Sequence, residues 1–123
     1  GPLTGLEEGF LALDEGDPER AAAVLRGLLS PVRTADAAPV LARALELWAG
    51  VAALDGDPVR AAEALGTAGA ARAGTAPNML EQADLERVRA LAADRAGEGS
   101  FEAALERGRG MEAADVLTLV LRR

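Results

Sequence analysis

An all-α fold of antiparallel helix pairs, stacked as a short solenoid of about seven helices, is what this sequence predicts. Three observations carry that prediction. The stretch "GDPERAAAVL", Gly16 to Leu25, returns forty residues later as "GDPVRAAEAL", Gly56 to Leu65, and internal repetition at this length marks helical arrays. Apolar residues recur at helical spacing between glycine breaks. The composition disfavours sheet: isoleucine is absent, β-branched residues are few, and Phe10, Trp48 and Phe101 are the only aromatics among many alanines.

The elements follow in order. Leu6, Phe10 and Leu13 lie at i, i+4 and i+7, a first helix that Gly16 stops. Asp17 is a good N-cap and Pro18 a good first residue for a second helix. That helix carries Ala21, Val24, Leu25 and Leu28 on one face and fades near Ser30-Pro31, where "SPVRTADAA" reads as a loop. A third helix, Ala38 to Asp55, bears two apolar stripes. One is Leu41, Leu45, Trp48 and Ala52; the other is Val40, Ala44, Leu47, Val51 and Leu54. Contact on two sides makes it the central helix. Gly56, Asp57 and Pro58 repeat the stop, cap and restart, and a fourth helix with Ala61, Ala62 and Leu65 runs to about Arg72. "AGTAP" breaks it. A fifth helix, Met79 to Ala96, presents Leu85, Val88, Leu91 and Ala92. "GEGS" ends that one, with Ser100 as the next N-cap before Phe101, Ala104 and Leu105. Gly108 and Gly110 close this sixth helix. Met111 to Arg122 forms the last, with Val116, Leu117, Val120 and Leu121, and caps the array. The turns of the three units are placed at Gly16, Gly56 and Gly99.

Residues 3–123 read as a single domain, long enough to bury a real core. Gly1-Pro2 resembles the remnant left by a tag-cleaving protease, which points to a segment cut from a longer protein. All 13 basic residues are arginine, a bias that with abundant Ala, Gly and Leu fits a high-GC bacterial genome. The net charge of −7 repels phosphate backbones and argues against direct nucleic-acid contact. No run is long enough to span a membrane and nothing resembles a signal peptide. The absence of cysteine excludes disulfides and fits a cytoplasmic location.

The repeats resemble tetratricopeptide repeats. In the second unit Leu45, Trp48, Ala49 and Ala52 match the packing positions of that family's first helix. Gly56-Asp57 matches its turn, and Ala61, Leu65 and Ala68 its second helix. The third unit matches with Val88, Leu91, Ala92, the turn "GSF" and Ala104; Phe101 falls where Pro18 and Pro58 stand in the other copies. The first unit contributes Gly9, Gly16-Asp17, Ala21 and Leu25. The family's period is about 34 residues, so these units are degenerate relatives with longer linkers. Ala53 to Leu121 also resembles the C-terminal helical region of bacterial LuxR-type and antibiotic-regulatory (SARP-type) ATPase transcription regulators. "ALDGDPVRAAEALGTAGAAR" and "GSFEAALERGRGMEAADVLTL" carry that likeness. The nucleotide-binding core and helix-turn-helix of those regulators have no counterpart in this sequence, so ATP or DNA binding is assigned to no residue. The resemblance implies a sensor, scaffold or autoinhibitory platform.

Histidine, cysteine and tyrosine are all absent, which removes the usual nucleophiles, general bases and transition-metal ligands. No catalytic residue, metal ligand or cofactor is therefore assigned. Asp14, Glu15, Asp17 and Glu19 lack a calcium-loop pattern, and Asp17 is explained as a cap. "GTAGAARAG" lacks the lysine and preceding strand of a phosphate loop. Arg20 and Arg60 each lie three residues after a capping Asp, where Glu or Gln would close a capping box. One reading pairs them with Asp14, Glu15, Asp55 or a neighbouring unit. The other makes them an anion or carboxylate clamp. Aligned on the turn, Leu6, Phe10 and Leu13 point to the groove face that carries Arg43, Glu46 and Gly50 in the second unit. That stripe is a recognition surface for a partner helix, the core of a shifted unit, or the cover of a surface once occupied by a deleted neighbouring repeat. The expected partner-binding residues are Leu6, Phe10, Leu13, Arg43, Glu46 and Arg89.

The function expected is a non-catalytic module that binds a protein, a peptide, an effector or other domains of the same regulator. The rivals are a stand-alone tetratricopeptide adaptor or homodimerisation domain, and a small-ligand sensor.

Overall fold

The computed structural model describes residues 2–29, 38–72 and 74–122. Among them are seven α-helices and no strand: α1 (Pro2–Asp14), α2 (Pro18–Leu29), α3 (Ala38–Leu54), α4 (Pro58–Arg72), α5 (Met79–Ala96), α6 (Glu98–Arg109) and α7 (Ala113–Leu121). The expected loop after Ser30 lies outside the described residues, as do the side chains of Val120 and Leu121.

Two identical corners build the first half of the chain. Gly16 (φ 75°) and Gly56 (φ 89°) take left-handed backbone, which costs a residue without Cβ nothing. Asp17 N–H then donates to Ala12 O and Gly16 N–H to Leu13 O; Asp57 N–H donates to Ala52 O and Gly56 N–H to Ala53 O. This Schellman pattern satisfies carbonyls that a helix end would leave bare. Each Asp caps the following helix in the same step, accepting from Arg20 N–H (3.1 Å) and Arg60 N–H (3.2 Å).

The third corner differs from the expectation. Its left-handed glycine is Gly97 (φ 87°), while Gly99 and Ser100 lie inside α6. Phe101, Ala104, Leu105 and Gly108 are its buried face. Counted from Gly99 the last three match Ala21, Ala22 and Leu25 of α2; counted from the real turn they are two residues late. Two residues rotate a helix face by about 200°, so α6 does not repeat the placement of α2 after its turn. Instead it presses on α4. A Cβ on Gly66 would overlap Leu105 O, and one on Gly108 would overlap Glu63 O. Thr67 Oγ1 donates across this crossing to Gly108 O at 2.7 Å.

Helix α3 is central, packing against α1, α2, α4, α5 and α7. Leu45, Leu47, Ala49, Val51 and Ala53 are fully enclosed, so its apolar surface is continuous rather than split into two stripes. Against α1, side chains fill glycine notches: Leu47 sits on Gly9 and Leu13 on Gly50. Helix α7 turns back over α2, α3 and α4. Helix α5 is the most lightly buried, with Val88 and Ala92 enclosed, and it opens with a full capping box between Asn78 and Glu81.

Candidate functional site

Helical spacing brings three faces together. Phe10, Leu13 and Asp14 come from α1, Gly50 and Leu54 from α3, and Asp84, Arg87, Val88 and Leu91 from α5. They line a partly open cavity of about 110 Å³. Its floor is apolar because Gly50 offers no side chain and lets Leu13 and Val88 approach. Leu13, Leu54 and Leu91 remain half-buried. Asp14 and Arg87 stand exposed at the rim, joined through Nε and Oδ1 at 3.3 Å.

The rim continues inward as charges of alternating sign. Arg87 pairs with Asp84, and Asp84 Oδ2 accepts from Arg43 Nη2 at 2.6 Å. Arg43 Nη1 lies 4.0 Å from Glu46 Oε1. Glu46 accepts two bonds from Arg72, both at 3.0 Å. Arg43 and Glu46 are 3% and 1% exposed, deeper than charges stand unless paired. Arg43 also lies over the Phe10 ring, 3.9 Å from its centroid. Burial pushes the Glu46 carboxyl above its ordinary 4.5, against the opposing pull of the Arg72 and Arg43 guanidiniums; the Glu81 charge adds to the rise. A buried acid of raised pKa can mark a proton-transfer site. Here each oxygen accepts from Arg72, and the carboxyl is 1% exposed.

The residues expected to line one groove are thus divided. Leu6 (2% exposed) and Phe10 (4%) are core, with Phe10 forming the back of the cavity under Arg43. Leu13 lines the opening. Arg43 and Glu46 are enclosed in the ionic chain rather than displayed, because α5 covers the face they share with Gly50. Arg89 stands elsewhere, 5.4 Å from the Phe101 ring centroid, in a shallow acidic groove between α5 and α6 with Glu86, Asp94, Glu98 and Glu102. Arg20 Nη1 meets Glu15 Oε1 at 2.7 Å, one of the acids expected for it, and Arg60 Nε meets its own cap, Asp57, at 3.2 Å. Sequence reasoning missed Asp84, Arg87 and Arg72. Their partners on other helices lie 41, 73 and 26 residues away, and no local spacing signals such pairs; only the Asp84–Arg87 contact has the i, i+3 spacing of one helix face.

Trp48 adds a separate irregularity. Its Nε1–H is buried without a hydrogen-bond partner among the described residues.

No protein-family model, curated protein or solved structure matches the chain. Among the described residues, no group of three or more His, Cys, Asp or Glu is placed to hold a metal ion, and no helix is long and apolar enough to cross a membrane.

Proposed function

We propose that this chain is a non-catalytic binding module, a tetratricopeptide-like array serving as the C-terminal regulatory part of a cytoplasmic bacterial transcription regulator. The observation that carries the binding reading is the α1–α3–α5 cleft. It combines a half-buried apolar trio, Leu13, Leu54 and Leu91, with an exposed ion pair, Asp14 and Arg87, at its mouth. That arrangement suits one apolar side chain of a protein partner, with polar neighbours meeting the rim. The regulator reading rests on the resemblance of Ala53 to Leu121, and the twin Schellman corners support the repeat assignment.

The natural reading frame tests the second part. A nucleotide-binding region in the same polypeptide supports it, and a frame confined to the helical array overturns it in favour of an adaptor. For the cleft, Leu54→Arg in the full-length protein should abolish its regulatory output while the circular dichroism melt stays cooperative. Unchanged output from a folded Leu54→Arg protein overturns the assignment.

A further inference from the structure

The α1–α3–α5 cleft lies at one end of a longer strip. The three helices run in the same direction: Phe10, Arg43 and Asp84 meet at one level, and Leu13, Gly50 and Val88 at the next. Seven residues of helix rise about 10 Å and return to within about 20° of the same face. Leu80 therefore stands on the cleft-lining face of α5, about 10 Å before Arg87 and in line with Leu91. It is 73% exposed. A lone exposed leucine is ordinary, but this one extends the half-buried apolar line of the cleft. Met79, also exposed, is turned about 100° away and extends nothing. On α1, Glu7, Leu11 and Asp14 recur at i, i+4 and i+7, all exposed. Glu7 stands at the level of Leu80, as Asp14 stands at the level of Arg87.

Size, charge and spacing each restrict the occupant. The cleft holds about 110 Å³, less than the roughly 150 Å³ cavity that accepts a benzene ring. A branched aliphatic side chain fits it and an aromatic one does not. Glu7 and Asp14 bring two exposed acids to the α1 wall. The cation facing them, Arg87, is shared between Asp14 and Asp84. The strip is therefore negative, and its complement is basic. Spacing selects the backbone of the occupant. The two apolar points stand about 10 Å apart, which is two turns of a helix and brings both anchors to one face. In an extended segment the same distance is about three residues, and alternation sends the two side chains to opposite faces.

Resting on the cleft reading above, we propose that this strip docks a basic amphipathic helix of a partner protein. The helix places an aliphatic side chain in the cleft, a second apolar side chain two turns away on Leu80, and lysine or arginine beside Glu7 and Asp14. The probe is an alanine-based helical peptide with two leucines two turns apart and lysines flanking them. Added to the protein labelled in its leucine methyl groups, it should shift Leu80 together with Leu54 and Leu91 along one saturable isotherm. Leu80→Ser, at an exposed position, should weaken binding by about fivefold or more with an unchanged circular dichroism melt. Peptides with tryptophan for both leucines, or glutamate for the lysines, should bind more weakly than the parent. A Leu80 signal that stays still, full binding by Leu80→Ser, or equal binding of either altered peptide would each overturn the proposal. Shifts confined to Leu54 and Leu91 overturn the strip and leave the cleft as a receptor for one side chain. The Leu54→Arg output test decides the cleft reading by itself, so the two fail separately.

Discussion

Arg20 and Arg60 occupy the third position of their helices, where a positive charge opposes the helix dipole. The reason lies one residue before each helix. A Glu at that position would stabilise by accepting from the N-cap N–H. Here that N–H is already given to the preceding helix, Asp17 to Ala12 O and Asp57 to Ala52 O. The box cannot close, and an arginine instead balances a cap that already holds acids. In α5 no such corner precedes, Asn78 N–H is free, and Glu81 takes it at 3.0 Å. Arg60→Glu should therefore bring no capping gain and lower stability by up to about 0.5 kcal/mol. Asn78→Ala, which removes a working cap, should cost about 1 kcal/mol. Urea unfolding of the two variants measures both. Glu46 supplies a pH test. Its raised pKa means the folded state holds the proton more tightly than the unfolded chain. Its contribution is present below 4.5 and is lost as pH rises from there to the raised folded value. Stability of the wild type relative to Glu46→Gln should fall across that window and then level off. A difference that rises with pH would refute the assignment.

At the scale of elements, the α4–α6 crossing is set by two glycines. Gly66 and Gly108 bring backbone against backbone, so neither neighbour can yield by changing a rotamer. Gly66→Ala or Gly108→Ala should cost about 2–3 kcal/mol through overpacking. Gly69, three residues along α4, faces open space, and Gly69→Ala should gain about 0.5–1 kcal/mol from helix propensity. Thermal melts of the three variants should separate in opposite directions. This crossing also shows what could be read in advance. Apolar spacing and the Gly-Asp-Pro corners place the helices, because those rules are local. The "GEG" sequence offers two candidate turn glycines, and the packing pattern of the earlier units selects Gly99. Backbone geometry selects Gly97, and the offset is what sends α6 onto α4. The cleft was legible in part, through Phe10, Leu13, Leu54, Val88 and Leu91 as apolar positions and Gly50 on the expected groove face. Its ionic chain joins residues from α1, α3, α4 and α5, and such pairings depend on the assembled fold.

For the molecule as a whole, α5 is attached in an unusual way. It encloses only Val88 and Ala92, yet it closes the central face through Asp84–Arg43, Arg87–Asp14 and the Arg95 Nη1 bond to Ala53 O. Buried ion pairs recover little net stability, because desolvation offsets their attraction, but breaking one side leaves a buried charge exposed to that penalty. Arg43 is the partner with most to lose, since among the described residues its buried Nη1 already lacks a hydrogen bond. Asp84→Asn should accordingly cost about 3 kcal/mol or more. Replacing both members, Arg43→Met with Asp84→Leu, keeps the Glu46–Arg72 pair and should restore wild-type stability or exceed it by about 1–4 kcal/mol. A double-mutant cycle in urea separates these outcomes. Native-state hydrogen exchange then locates the effect. If ions rather than core hold α5 down, its amides open below the global unfolding free energy, and Asp84→Asn accelerates them more than those of α3 or α4. Exchange in α5 that tracks α3 in both proteins would mean the helix is bound into the core, and the cleft it roofs would then be a rigid notch rather than an adjustable one.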